Sequence, residues 1–435
     1  MSSKKTAIVI GTGAGGAVVA NELQGEYDVT ILEAGSEFKS FSGSLQKLAS
    51  LRPTGIYRDI SQIHSVVPNM IIDKSEEVSI MRGIGLGGTT TLATGNAVRQ
   101  DDDLKEIGIN LDAEFERLFS EIPITTDHKK KWNASMNRMF DSFSEMGLNP
   151  EVMPKALKAE ECINCSHCAI GCPTNAKWDV REIVDKAVSK GANLVTDCKV
   201  TSLEIEGNTV KAVHAKRKNK SVSFTADLIV LCAGGLGTPA ILNNSGIECK
   251  DSLFVDPLIC VAGISPGFNQ DRQMLMPFLS RHDGYILSPY IDYFSFFFDK
   301  KWRVPSSDLA CIMIKLADEE KGYLEGEKVH KVLSRKDKEK FDEAIELCHE
   351  ILTRMGIPRE NHLVGLTAAG HPAGMLPLTE DEKDTLHSSL LPDNLYVADA
   401  TLLPKTMGFP PMLTIMALAL KISEIILDSE NINAV

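Results

Sequence analysis

Residues 6–33 constrain the fold more than any other stretch of this chain. Thr-Ala-Ile-Val-Ile (6–10) is a short apolar run, followed by Gly11-Thr12-Gly13-Ala14-Gly15-Gly16. The helix-like segment AVVANELQ then leads to a second apolar run, Asp28–Leu32, that ends in Glu33. Strand, glycine turn, helix and strand in that order open a doubly wound α/β sheet. Gly11-x-Gly13-x-x-Gly16 meets the backbone needs of a pyrophosphate. The first glycine permits the tight turn, the second lets phosphates approach, and the third lets helix pack on strand. The helix N-terminus adds unpaired N–H groups and the positive end of its dipole. Glu33 lies twenty residues past Gly13, where a carboxylate can accept both ribose hydroxyls of a dinucleotide.

The second informative run is C-I-N-C-S-H-C-A-I-G-C-P, with Cys162, Cys165, Cys168 and Cys172 followed by Pro173. C-x2-C-x2-C-x3-C-P is the spacing with which bacterial ferredoxins hold [4Fe–4S] clusters. Zinc sites use two cysteine pairs separated by a longer loop, which fits three evenly spaced cysteines less well. In two-cluster ferredoxins the fourth cysteine serves the other cluster; no second set exists here, so all four are expected on one cluster. His167, inside the run, is read as a surface loop histidine, with an N–H···S bond to the cluster as the alternative.

The remaining cysteines, Cys198, Cys232, Cys249, Cys260, Cys311 and Cys348, are scattered singly among mostly apolar neighbours and read as free thiols of a reducing compartment. The chain begins without a signal-peptide pattern and no apolar run reaches membrane-span length, so a cytoplasmic protein without a transmembrane segment is expected. A net charge of −13 argues against nucleic acid as a partner, because phosphate binding wants clustered cations. Two small basic clusters, Lys129–Lys131 and Lys216, Arg217, Lys218 and Lys220, read as solvated loops, or as a docking patch for an acidic protein such as a small ferredoxin. At 435 residues the chain is long enough for two domains.

Further along, 102–147 reads as mostly helical and 179–190 as an amphipathic helix. Residues 193–216 read as strands with a Gly207-Asn208 hairpin, and 334–355 as a charged amphipathic helix. Two more glycine-rich passages, GIGLGGTTTLATGN near 83–96 and DLIVLCAGGLGTPAILNNSG at 227–246, precede a C-terminal strand, turn and long helix over 391–428. These blocks, in this order behind the first glycine turn, resemble the signatures of the glucose–methanol–choline (GMC) flavoenzymes. The resemblance implies an α/β, Rossmann-like FAD-binding domain over 1–250 and 361–435, with the cysteine segment 158–178 inside it. A β-rich α+β substrate domain over 251–360 is inserted. It implies FAD, with Gly87, Gly88, Thr89 and Asn96 along the pyrophosphate and isoalloxazine. Val200 is then expected near the adenine, Gly234 and Gly235 at a tight turn, and Asp399, Ala400 and Pro411 against the cofactor. Some relatives carry Cys-Pro followed by Gly-Ala-Lys or Asn-Ala-Lys, without the full set of cysteines, at the place of CPTNAK (172–177), which puts the cysteine loop near the flavin.

The family's reacting histidine sits in a segment like H-P-x-G, matched here by His371-Pro372-Ala373-Gly374. The resemblance makes His371 the general base, with an ordinary pKa near 6.5 that suits taking or giving a proton. The family's second residue, a His or Asn before proline, is replaced by Pro410 in Gly408-Phe409-Pro410-Pro411. Proline has no side-chain donor, so His371 acts alone, the substrate is not a simple alcohol, or the inserted domain supplies the partner. Residues 285–302 hold eight of the 26 aromatic side chains. They read as a β core, or as the wall of a pocket for a hydrophobic substrate.

The expected function is a FAD- and [4Fe–4S]-dependent oxidoreductase. It would pass electrons between an organic alcohol, carbonyl or activated C=C compound and a one-electron carrier such as ferredoxin, in a low-oxygen host. The alternatives are an electron-transfer subunit with no substrate of its own and a zinc-stabilised flavoprotein that uses oxygen.

Overall fold

The computed structural model describes residues 4–41, 63–64, 67–218 and 220–433. Its first layer is a five-stranded parallel sheet in the order Leu395–Val397, Leu228–Leu231, Thr6–Ile10, Asp28–Leu32, Asn193–Val195. Leu228–Leu231 is buried at every residue, and Thr6–Ile10 and Asp28–Leu32 expose only their first residues fully, as strands covered on both faces must be. The helix Ala14–Leu23 packs against the C-terminal helix Met412–Asn433, and a buried cluster of Val19, Leu23, Ile31, Leu418 and their neighbours forms the core. An antiparallel meander, Cys198–Glu206, Thr209–Arg217 and Lys220–Phe224, stands beside this layer with its first hairpin at Gly207-Asn208.

The second layer is a nine-stranded mixed sheet. Its path runs Met70–Lys74, Ser79–Gly83, Ala368–Ala369, Leu258–Ile264, Leu309–Leu316, Tyr285–Pro289, Phe278–His282, Glu151–Val152, and His362–Val364 also pairs with Leu258–Ile264. The helix Arg335–Arg354, opened by a Ser334/Asp337 capping box, packs on the two central strands. The 102–147 segment forms three α-helices, Asp102–Glu106, Asp112–Glu121 and Ala134–Glu145, and a 3-10 turn, Asp127–Lys131.

The aromatic segment is half strand and half helix. Tyr285–Pro289 is a buried strand, and Asp292 then caps a short helix, Tyr293–Phe298, by accepting from Ser295 N–H at 2.9 Å. All six scattered cysteines are free thiols, five of them buried and Cys249 half-buried. No helix among the described residues is long and apolar enough to cross a membrane.

Candidate active site and cysteine loop

A cavity of about 760 Å³ is lined by both layers at the carboxyl ends of the parallel strands, where open α/β sheets bind ligands. Gly11, Gly13, Gly15 and Glu33 of the first block line it, with Gly88, Thr89 and Asn96 of the second and Val200 of the meander. So do Gly234 and Gly235 of the third block, Asp399, Ala400 and Pro411 of the C-terminal block, and His371. Gly16 and Gly87 stand behind the wall. A Cβ on Gly16 would strike the Gly11 carbonyl, whereas a Cβ on Gly13 would meet no atom within 4 Å. Gly13 is therefore open to the cavity at the N-cap of Ala14–Leu23, and the turn is held by Gly11 at φ +103° against the Cys232 carbonyl. Gly234, at φ +79°, is similarly open at the start of the helix Gly234–Asn244. Two open glycine cradles at helix N-termini in one cavity fit a dinucleotide pyrophosphate.

Two buried carboxylates of this layer, Glu33 and Asp399, serve the protein's own backbone. Glu33 accepts from Thr12 N–H (3.0 Å) and hydroxyl (2.5 Å) on one oxygen, and from Gly35 N–H (2.9 Å) and Gly85 N–H (3.1 Å) on the other. A carboxylate offers about four acceptor sites, so a ribose hydroxyl must displace one of these donors. Burial pushes the Glu33 carboxyl up, against those hydrogen bonds. Thr12 also accepts from Gly87 N–H at 3.0 Å, which ties the second glycine passage to the first. Asp399 joins the third and fourth blocks in the same way. It accepts from Gly234 N–H (2.8 Å), the Thr238 hydroxyl (2.5 Å) and Thr401 N–H (2.9 Å).

At the far end of the cavity, His371 keeps 26% of its side chain open and its Nδ1 stands 3.4 Å from Asp256 Oδ2. That same oxygen is 2.5 Å from the Nζ of Lys315, whose side chain is 3% exposed. Asp256 Oδ1 accepts from the Thr406 hydroxyl (2.7 Å) and Gly408 N–H (3.1 Å). Asp256 adopts φ +49°, a left-handed conformation that Asp tolerates better than most residues. Its own N–H (2.8 Å) and that of Val255 (3.2 Å) donate to Asp318, whose carboxylate pairs with the buried Lys331 at 2.7 Å. Burial would raise the Asp256 carboxyl, but Lys315 and His371 outweigh it and hold it well below the usual range. Burial, followed by the Lys315 charge, lowers His371. Burial also lowers Lys315, against Asp256.

Sequence reasoning missed Lys315 and Asp256. The available signal was a lysine inside LACIMIKL, a strand buried at all eight positions. The aromatic segment supplies both core and wall. Tyr285 and Phe296 are buried in the cores, while Tyr290, Tyr293, Phe294, Phe297 and Phe298 line the cavity.

Cys162, Cys165, Cys168 and Cys172 line a second, small cavity together with Lys155, Lys177 and Thr94. Thr94 also lines the large cavity. Among the described residues, no three His, Cys, Asp or Glu side chains are grouped so as to hold a metal ion. Burial pushes the Cys165 thiol up to about 11. Cys172 is lowered, because the Lys177 N–H and Thr174 contacts it accepts outweigh its burial.

Lys155 Nζ donates to Thr94 O (3.1 Å), Asn96 Oδ1 (2.5 Å) and Leu275 O (2.7 Å). Lys177 Nζ donates to the carbonyls of Thr90, Thr91, Ala93 and Cys168 at 2.7–3.1 Å. Among the described residues no carboxylate is in ion-pair contact with either ammonium, and burial pulls Lys155 down to about 7. His167 is buried, not a surface histidine: it is 8% exposed, edge-on to Phe41, and its Nδ1 has no hydrogen-bond partner among the described residues. The Tyr293 hydroxyl donates to Ser166 O and so ties the aromatic wall to the cysteine loop.

The family model described as GMC oxidoreductase matches residues 6–261. The chain belongs to that family, and it is a flavin-dependent oxidoreductase whose cofactor is FAD. An uncharacterised protein of Methanocaldococcus jannaschii is 24% identical over 95% of this chain and 97% of its own length. A long-chain-alcohol oxidase of Arabidopsis thaliana is 23% identical over 64% of this chain, which spans only 47% of that protein. The structure of pyridoxine 4-oxidase from Mesorbium loti superposes with a TM-score of 0.69 at 16% identity, covering 97% of this chain and 98% of that one, and so shares its fold.

Proposed function

We propose that this protein is a FAD- and [4Fe–4S]-dependent oxidoreductase. It would exchange electrons between a hydrophobic alcohol, carbonyl or activated C=C compound and a one-electron carrier such as ferredoxin. Bound FAD supplies the hydride acceptor or donor, and the cluster supplies a one-electron carrier beside it. Gly11, Gly13, Gly15, Gly88, Thr89, Asn96, Val200, Gly234, Asp399, Ala400 and Pro411 would hold FAD, with Glu33, Gly16 and Gly87 shaping the turns beneath it. We take 1–250 with 361–435 as the flavin unit and 251–360 as the substrate unit.

The observation that carries the iron–sulfur reading is the pair of adjoining cavities. Four thiols face two buried ammonium groups: Lys155, which has no carboxylate partner among the described residues, and Lys177, whose charge Asp179 offsets while also pairing with Arg181. Lys155 spans from those thiols to Asn96 in the flavin cavity. An uncompensated buried cation is costly, and a thiolate-ligated cluster is an anion that would offset it. The even C-x2-C-x2-C-x3-C spacing suits a cuboidal cluster, which gives each thiolate its own iron, better than it suits the two separated pairs of a zinc site. The basic Lys129–Lys131 segment abuts this loop, since Asn164 donates to Lys131 O at 3.0 Å and Ile163 is 62% exposed there. Lys130 and Lys131 pair there with Asp127 (2.9 Å) and Glu160 (3.8 Å), so an acidic carrier protein would compete with these carboxylates for the patch.

On the substrate side, neutral His371 would take the hydroxyl proton, or return it in the reverse direction. Asp256 accepts from Nδ1–H and leaves the Nε2 lone pair for the substrate. The aromatic wall favours an apolar substrate, in keeping with the alcohol oxidases among the relatives. An open cavity beside His371 weighs against a relay subunit with no substrate.

Anaerobic purification with iron, sulfide and flavin analysis tests the proposal. The expected result is about four iron and about four sulfide per FAD, with reduced ferredoxin bleaching the flavin. Full flavin without iron or sulfide would sink the cluster.

A further inference from the structure

The segment expected to carry the second reacting residue ends in Pro410, which offers no donor. A donor reaches the same place from another element. Lys315, next to last in the strand Leu309–Leu316, lines the cavity with His371 and Pro410. One carboxylate oxygen of Asp256 binds both the Lys315 ammonium (2.5 Å) and His371 Nδ1 (3.4 Å). The other oxygen is fastened to Thr406 and Gly408, on the very segment that lost its functional side chain.

The charges complete the picture. Lys315 and Asp256 neutralise each other, and His371, beside a buried ammonium, is held neutral. A neutral acceptor and a cationic donor anchored on one oxygen match a hydroxyl group that is becoming a carbonyl.

We propose that Lys315 is the second catalytic residue, its ammonium donating a hydrogen bond to the substrate oxygen while His371 Nε2 takes the hydroxyl proton. In the oxidative direction the O–H proton would go to His371, and bound FAD would supply the acceptor for the electron pair of the C–H bond, taken as hydride. The C–O bond becomes double, and Lys315 neither gains nor loses a proton. Its role is to oppose the negative charge that grows on oxygen, an effect worth about 10²–10³ in rate for one preorganised donor. Asp256 is a positioning residue for both groups.

The proposal rests on His371 as the base, and its test avoids that step. Octanoate, whose carboxylate imitates an alkoxide on an apolar chain, is titrated into the oxidised FAD-loaded enzyme and binding is read from the flavin absorbance. The expected result is binding that weakens at least about tenfold in Lys315→Met and largely persists in Lys315→Arg, while 1-octanol changes little. Flavin content and melting temperature accompany each variant. If Lys315→Met does not load FAD, Lys315→Met with Asp256→Asn removes the ion pair as a unit and is read the same way. Equal octanoate affinity with and without Lys315, or no octanoate binding by the wild type, overturns the proposal. Octanoate binding needs no base, so failure of the His371 reading, seen as undiminished turnover in His371→Gln, is separable from failure of this one.

Discussion

Replacing Asp256 by Asn is the most revealing single change, because it removes one charge and almost no volume. Lys315 is 3% exposed and its charge has no other ion-pair partner among the described residues. Removing one member of a buried pair costs about 3–5 kcal/mol. At about 2.1 cal/mol/K per residue, a chain of this length has an unfolding entropy near 0.9 kcal/mol/K, so the melting temperature should fall by about 3–5 °C. The pH dependence gives the sign. In the variant the folded-state pKa of Lys315, already lowered by burial, drops further for want of Asp256. The unfolded chain then holds a proton that the folded chain does not, from that lowered value up to about 10.4. Stability of the variant therefore rises with pH across that window relative to the wild type, and the deficit shrinks. Calorimetry at several pH values from neutral to about 9.5 reads this directly. A deficit below about 1 kcal/mol, or one that grows with pH, would show that the pair is not a buried charge pair and that Lys315 is not anchored by Asp256.

Gly13→Ala should leave the melting temperature of flavin-free protein within about 0.5 kcal/mol of wild type, since φ is −69° and the added methyl meets nothing, while FAD affinity falls; an unchanged affinity by fluorescence titration would remove Gly13 from the cofactor site. Cys172→Ser should lose iron and sulfide while retaining FAD, and retention of full iron would exclude it as a ligand. With His371 as a neutral base whose pKa lies below the ordinary value, turnover is present above that pKa and lost only as pH falls through it. The acid limb of the rate profile should therefore lie below about 6.5, and a limb above that value would contradict the assignment.

The features legible in the sequence are those whose chemistry is local. Gly11 and Gly13 announce themselves because a tight turn and a bare backbone admit only glycine, and the four cysteines because their ligand spacing is contiguous. The aromatic segment shows where such reading stops. Eight aromatics in eighteen residues suit strand, helix, core or wall equally, and only the Asp292 cap and the strand register divide them. His167 misleads for a related reason: a polar residue in a glycine- and cysteine-rich loop looks exposed until Phe41 is packed on it.

By itself the sequence determined the nucleotide turn and the thiol set, because each depends on neighbours within about twenty residues, and the family, because each of its separated blocks is local and their order along the chain is written in the sequence. The tertiary structure decided everything that required two distant charges to share one oxygen or one cavity. Lys315 meets Asp256 because the strands Leu258–Ile264 and Leu309–Leu316 pair antiparallel with Leu258 opposite Lys315. Lys155 and Lys177 reach the thiols because both side chains are buried beside the cysteine loop. Burial makes those lysines informative: a solvated ammonium needs no partner, whereas one stripped of water must find an anion.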